Sequence, residues 1–472
     1  MEFSRKLKGL LEGRDGDSIV AHEALQTQVL EVEDVTIDGR TRRLEYPPFD
    51  IPAIRVELIE NARIQFRSRP LAEHARKRFC IFGADQRVVE NSLLNVPETY
   101  DRSLQSDFRL GEEGVTYIFL GEMLLHYGHM LLESCSRMWV LEHVKQLAGA
   151  NVEFVFINSC QRRNAVDQLL GLVEQVAPVR MIPHNRQCIQ ISRLMVPSPM
   201  FIAVRGYCHP EQGNVLRNLF APLAEHNRTA DKIYFSRRKL SKKQRSLINE
   251  AEIEKVFTAH GYEVVHPQEL SFGEQIGLYS QVRAMAGVEG SAIHNTLLAG
   301  KCEHLTVLNV HQGDPMVWHY QQQNICRAVH LDTTVVRTHP AFEIEGHLAR
   351  NMPIITDTKA VRRALSGEGG DHPGRKGAGK MEKRELFSLV AAVFKETGDH
   401  LNEAFYDRLA KEDTVGAFRT GLESPGALAS VKLRGETSLG RFRRSTFIGT
   451  IRMVAALKKT VNSLCGGHGK KK

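Results

Sequence analysis

Apolar residues recur along this chain with two periods. Between Val29 and Val96 they fall in short runs bounded by turn residues: Val35-Thr36-Ile37 before Asp38-Gly39, then Arg55–Ile59, Ala62–Phe66 and Phe79–Phe82. Such runs predict a β-rich region. Residues 1–30 mix charge with isolated apolar positions and predict a helix or an arm. A helical period covers Leu124–Leu147. After it comes Val152–Ile157, a continuous apolar run of the kind a parallel strand needs when both faces are buried. A helix over Arg163–Val176, strands at Val179–Ile182 and Ile189–Val196, and a helix over Glu211–Ala224 follow.

The alternation resumes at Lys232–Phe235, a strand. Asn249–His260 predicts a helix with Asn249 as N-cap and acids in its first turns, where they suit the helix dipole. Then come strand Tyr262–Val265, helix Phe272–Ser280, strand Ala284–Ala286, helix Ser291–Ala299 and strand Leu305–Leu308. Strands alternating with helices imply βαβ units and an α/β fold. The predicted organisation is an arm (1–30), an α/β domain with a β-rich start (31–230), a second, Rossmann-like domain (231–345), a linker (366–380) and a helical basic extension (381–472). The linker, SGEGGDHPGRKGAGK, has six glycines and no large apolar residue.

Charge refines this picture. The formal net charge is +8, but residues 431–472 hold eleven Lys or Arg against Glu436 alone, leaving 52 basic and 54 acidic residues elsewhere. A balanced body argues against a nucleic-acid binder and puts any attraction to anionic surfaces at one end. Within 441–464, Phe447, Ile451, Val454, Leu457, Val461 and Leu464 share a helical face opposite Arg441, Arg452 and Lys459, a pattern that suits the surface of an anionic membrane. Whether the C-terminal helices pair with a second copy in a homo-oligomer is left open by the sequence. No apolar run approaches the ~20 residues that span a bilayer, and no apolar core precedes the charges of the N-terminus, so a cytoplasmic protein is expected. The eight cysteines form no C-x-x-C pair, and reduced thiols rather than a zinc site are expected.

The densest chemistry lies at Ala284–Leu298, where an apolar run stops at Gly287 and a second glycine, Gly290, precedes Ser291, His294 and Asn295. This reads as a strand, a tight turn and a helix start, where bare N–H groups can approach a phosphate. The plain alternative makes Ser291 an N-cap and His294 a buried, hydrogen-bonded core residue. Arg237 and Arg238 end the Lys232–Phe235 strand, where α/β folds place ligands, and open a basic loop with Lys239, Lys242, Lys243 and Arg245. Glu250 is suited either to a ribose or sugar hydroxyl or to the helix dipole alone. His126, His129 and Glu133 share one helix face. They fit a general base with its orienting carboxylate, core histidines that are merely hydrogen bonded, or a zinc site short of a ligand. Asp15-Gly16-Asp17 mimics a metal-binding Asp-x-Asp but sits in a polar arm, so no metal is expected.

The order of these motifs resembles glycosyltransferase family 61. The residues are Ile233-Tyr234-Phe235-Ser236-Arg237, Asn249-Glu250, Gly261–Val265, Gln275 and Gly287-x-x-Gly290-Ser291-x-x-His294-Asn295, with His126–Glu133 upstream resembling the family's Y-G-H-W-L-L-E helix. The resemblance covers roughly 115–310 and includes capsular-polysaccharide-type proteins. It implies a GT-B-like architecture of two Rossmann-like domains facing a cleft, and an inverting, metal-independent transfer. The donor nucleotide sugar would be held by the C-terminal half and the glycan or lipid-linked glycan acceptor by the N-terminal half. Arg237, Arg238, Glu250, Gln275, Gly287, Glu289, Gly290, Ser291, His294 and Asn295 would hold the donor. His129, Glu133 and His126 would carry the catalysis. The chain departs from the pattern at Met130, where relatives have Trp, and at Glu289 and His294, where relatives show H-G-A-G-L-T-N. That altered turn supports a second reading, a non-catalytic nucleotide-sugar or glycan-binding scaffold.

Overall fold

A computed structural model gives the structure of the protein. It describes residues 2–366 apart from 15, 38–39, 67–78, 90–102, 148, 159–163, 184–185, 204–205, 241–246, 248, 310–319, 341–353 and 357. The predicted linker beyond Ser366, the extension 381–472 with its 441–464 helix, and Lys242, Lys243 and Arg245 lie outside the described residues.

In chain order the elements begin with α1 (Glu2–Leu11), β1 (Ser18–His22), β2 (Leu25–Gln26), β3 (Leu30–Ile37), β4 (Arg40–Tyr46), β5 (Asp50–Ile51), β6 (Ile54–Phe66), β7 (Phe79–Phe82), β8 (Phe108–Leu110) and β9 (Thr116–Met123). Next are α2 (Tyr127–His129), α3 (Val140–Lys145), β10 (Val152–Asn158), α4 (Asn164–Glu174), β11 (Val179–Pro183), β12 (Cys188–Pro197) and α5 (Gln212–Phe220). The second half has β13 (Lys232–Phe235), α6 (Glu250–Ala259), β14 (Glu263–Val265), α7 (Phe272–Tyr279), β15 (Ala284–Val288), β16 (His304–Asn309), α8 (Tyr320–Ala328), β17 (Asp332–Pro340), β18 (Ile354–Thr356) and α9 (Thr358–Ser366).

Two eight-stranded sheets organise these elements into an α/β fold. The first runs β1-β6-β12-β9-β10-β11, with β7 on β6 and β8 on β12; the second runs β14-β13-β15-β16-β17-β3-β4, with β18 on β17. In the first sheet β9, β10 and β11 are parallel, whereas β6 is antiparallel to β1, β7 and β12. In the second, β14, β13, β15, β16 and β17 are all parallel. All eight residues of β9 and all five of β15 are buried, as strands sandwiched between layers must be.

Several expectations are corrected by tertiary context. The two strands read at 55–59 and 62–66 are one strand, β6, carried through Asn61 in the left-handed region (φ 52°), which Asn tolerates. The β3–β4 hairpin pairs through β3 with β17, so part of the β-rich start belongs to the second sheet. The arm is a docked helix: Leu7 and Leu10 of α1 are buried, and Ser4 donates to the Gln146 side chain (2.8 Å). The single helix expected over 124–147 is broken into α2, a π-helical turn over Met130–Ser134, and α3. Its polar residues bond strand ends instead of sustaining a regular ladder. Ser134 Oγ donates to the Glu122 carbonyl (2.8 Å), Arg137 Nε to the Pro197 carbonyl (2.9 Å) and Trp139 Nε1 to the Ser198 carbonyl (2.9 Å). The segment is thereby pinned across the C-terminal ends of β9 and β12.

Candidate functional site

The second sheet fixes where a ligand fits. From β13 the chain moves outward to β14 and then returns past β13 to β15, so strand order reverses between β13 and β15. Parallel sheets of this order bind ligands at the carboxyl ends of the strands flanking the reversal. Phe235 pairs with Gly287, so the next residues along each strand, Arg237 from β13 and Glu289–Ser291 from β15, emerge side by side. Gly287 lets the two strands close up, since a Cβ there would stand 3.2 Å from the Phe235 Cβ.

Gly290 has φ +153°, a conformation essentially restricted to glycine, and a Cβ on it would stand 3.0 Å from Arg237 Nη1. The guanidinium therefore lies against the bare backbone of the Gly-rich turn. The turn leads into a 3-10 helix, Ser291–Leu297, and not into the expected α-helix. Gly290, not Ser291, takes the N-cap position. Glu289 and Asn295 are wholly buried there, and Ser291 is half-buried.

The other donor-side candidates are engaged locally. Glu250 is 2% exposed; its Oε1 accepts from the Arg237 N–H (2.7 Å) and from the Tyr234 hydroxyl (3.2 Å). Burial pushes its pKa up to about 7 against the opposing pull of the Arg237 N–H. Glu250 thus fixes the backbone of the Arg237 turn from inside the fold. Arg238 Nη1 pairs with Glu254 Oε2 (2.9 Å) and Lys239 with Glu269 (2.9 Å). Gln275 Nε2 donates to the carbonyls of Pro267 (2.9 Å) and Leu270 (3.3 Å), and its Oε1 accepts from the Tyr279 hydroxyl. Asn249 occupies the N-cap of α6 but makes no side-chain cap; it pairs through both amide atoms with the backbone of Thr356.

The upstream motif meets the Gly-rich turn directly. Tyr127 donates its hydroxyl hydrogen to Asn295 Oδ1. A Cβ on Gly128 would stand 2.6 Å from Ser291 Oγ and 3.3 Å from His294 Cδ2. In the same segment His129 Nδ1 lies 3.7 Å from Glu133 Oε1; the histidine side chain is 30% exposed and the carboxylate 4%. The exposed His126 ring sits 5.0 Å from that of His129. A part-exposed imidazole beside a buried carboxylate is chemically able to take a proton from a hydroxyl.

A residue to which the sequence assigned no role completes the turn. Thr296 Oγ1 donates to the Ile293 carbonyl (2.9 Å) and so accepts from Gln322 Nε2 (3.1 Å). That fixes the Gln322 amide with Oε1 toward His294 Nδ1 (2.8 Å). The hydrogen therefore lies on Nδ1, and Nε2 carries the lone pair. Burial keeps this ring neutral, its pKa pushed down to about 4, with His126 adding to the effect and the Gln322 bond opposing it. A neutral ring with a lone pair on Nε2 suits a hydroxyl partner better than a phosphate. Gln322 stands in α8, which sequence periodicity did not reveal; its one signal is the run of amides Gln321–Asn324. Among the described residues, no group of three His, Cys, Asp or Glu side chains is placed to hold a metal ion, and no helix is long and apolar enough to cross a membrane.

No curated protein matches the chain. The family model described as Glycosyltransferase 61 matches residues 127–306, the stretch that begins at Tyr127 and contains Glu133, Arg237, Glu250 and the whole Gly-rich turn. Over that stretch, less than half of its length, the chain is similar to glycosyltransferase family 61, a family of sugar-transferring enzymes.

Proposed function

We propose that the protein is an inverting, metal-independent glycosyltransferase that moves a sugar from a nucleotide-sugar donor to a glycan acceptor, in a GT-B-like arrangement. Residues 231–345 take the donor and 31–230 the acceptor. The observation that carries this reading is the convergence of Arg237 with Gly290 at the strand-order reversal, with the His126–Glu133 segment packed against the same turn. Arg237 and the Gly-rich turn neutralise the leaving diphosphate, and His129, oriented by Glu133, takes the acceptor proton as its oxygen attacks the anomeric carbon. His294 is the second candidate base, favoured by the hydrogen-bond relay that places its hydrogen on Nδ1.

A thermal-shift screen of nucleotides followed by transfer assays with nucleotide sugars tests this reading. Stabilisation by one nucleotide class and turnover undiminished by EDTA are expected. Binding without turnover of any donor would assign the protein to the scaffold reading instead. The pair His129→Ala/Glu133→Ala is compared with His294→Ala; turnover surviving the first and abolished by the second moves the base to His294. The basic segment 441–464 would hold a cytoplasmic enzyme against an anionic membrane carrying lipid-linked or surface-polysaccharide acceptors. Vesicles rich in anionic lipid should pellet the full chain, and equal pelleting of a chain lacking 431–472 removes that part of the reading.

A further inference from the structure

His209 and Gln212 stand one turn apart where the chain leaves β12 and enters α5, the Gln212 N–H donating to the His209 carbonyl (3.0 Å). Both side chains are sealed from solvent, at 2% and 0% exposure. The Glu211 N–H donates to His209 Nδ1 (3.2 Å), so the hydrogen of the neutral ring lies on Nε2. Burial keeps that ring neutral, pushing its pKa down to about 4, and the neighbouring His22, whose ring lies 4.8 Å away, adds to the effect. Neither His209 Nε2 nor either polar atom of the Gln212 amide has a hydrogen-bond partner among the described residues.

One turn therefore presents a ring N–H, an amide NH2 and an amide carbonyl, all buried and all unmet. Native folds rarely leave even one such group without a partner. The set is neutral and mixes donors with an acceptor. A phosphate would leave the carbonyl unanswered and would face Glu211, whose carboxylate acts on both His22 and His209. A cation would leave the N–H donors unanswered. Hydroxyl groups, each a donor and an acceptor, answer all three. The turn also lies beside the candidate site: Arg217 Nη1 of α5 donates to the Leu297 carbonyl (2.8 Å), and a Cβ on Gly213 would stand 3.2 Å from the same oxygen.

We infer that His209 and Gln212 form a subsite for the hydroxyl groups of a neutral sugar, the acceptor side of the transfer. This rests on the glycosyltransferase reading. The test uses the full chain with Gln212→Met and His209→Phe, which keep side-chain volume and remove the unmet polar atoms. Methyl glycosides of glucose, galactose, mannose, xylose and N-acetylglucosamine are titrated at millimolar concentration by saturation-transfer NMR, and UDP and GDP by thermal shift. The wild type should bind at least one glycoside, and each variant should bind it about tenfold or more weakly, with nucleotide stabilisation unchanged. Should a variant unfold, a crystal of the wild type soaked with the glycoside gives the same answer: sugar hydroxyls on Nε2 and the amide support the subsite. Ordered water alone there, no glycoside binding by the wild type, or equal binding by folded variants overturns it. Glycoside binding without any nucleotide effect would instead sink the donor reading and leave this subsite standing.

Discussion

The Tyr127 hydroxyl donates to Asn295 Oδ1 and joins the segment after β9 in the first sheet to the 3-10 turn after β15 in the second. Burial raises the phenol's pKa, so it stays a donor across the physiological range. Asn295 is wholly buried and its Nδ2 has no partner among the described residues, so the Tyr127 bond is the one hydrogen bond seen for that amide. Tyr127→Phe should cost about 1–3 kcal/mol of stability, the penalty for an acceptor left buried and unmet. Denaturant melts at fixed pH measure it. A loss below about 0.5 kcal/mol would mean that the amide finds another partner.

Gly128 and Ser291 form the second contact of that join. Gly128→Ala drives a methyl to 2.6 Å from Ser291 Oγ and should destabilise by about 1–3 kcal/mol. Ser291→Gly removes the obstructing side chain. The double variant should therefore recover most of the loss, a coupling that a thermodynamic cycle detects. Simple additivity of the two changes would show that the elements are not in contact in solution.

The α/β alternation was legible because parallel strands such as Val152–Ile157 and Ala284–Val288 must be apolar on both faces, whatever surrounds them. Arg237 at a strand end and the Gly-rich turn were each legible, since strand ends and glycines are local features; their meeting comes from the pairing of β13 with β15. What depended on partners distant in sequence was not. Nothing near Asn249 shows that the backbone of Thr356 outcompetes its own helix end. The helical period of 124–147 is real, but Ser134, Arg137 and Trp139 answer carbonyls of β9, the end of β12 and the residue after it, and those bonds break the helix. Gln322 escaped because its partner His294 lies 28 positions away.

Glu250 gives a pH signature. Its pKa rises from the usual 4.5 to about 7 on folding. Below pH ~4.5 both states hold the proton; above it the unfolded chain ionises first and is favoured. Stability should therefore fall as pH rises from about 4.5 to about 7, by on the order of 3 kcal/mol, and then level off. Glu250→Gln keeps an acceptor for the Arg237 N–H and removes the ionisation. The difference between the melting profiles of the two proteins should show this fall; parallel profiles would place the carboxyl in contact with water.

Burial of His294 predicts the opposite slope. A pKa lowered from 6.5 to about 4 means that the unfolded chain takes up the proton first, so this contribution is present above pH 6.5 and is lost as pH falls toward 4. Gln322→Glu, ionised beside the ring, should raise that pKa and blunt the acid loss. Gln322→Leu should cost about 1–3 kcal/mol by stranding the Nδ1–H. Nitrogen NMR of the histidines should show the Nδ1–H tautomer at His294 in the wild type and its redistribution in Gln322→Leu. An Nε2–H tautomer in the wild type would contradict the relay.

Adjacent arginines should behave differently. Arg237 lies half-buried with Nη1 against Gly290, its backbone held by Glu250, at the strand-order reversal. Arg238 is exposed and paired with Glu254 on α6. If a diphosphate sits where the order reverses, only the first can fork onto it. Arg237→Gln should weaken binding of the stabilising nucleotide about tenfold or more, the loss of a charge-assisted pair. Arg238→Gln should leave that affinity within about twofold, since it gives up only a surface ion pair. Calorimetric titration of the same nucleotide into both variants and the wild type measures the contrast. Equal losses would mean that the basic loop attracts the nucleotide by charge alone, and a loss confined to Arg238→Gln would put the diphosphate on the α6 side of β13.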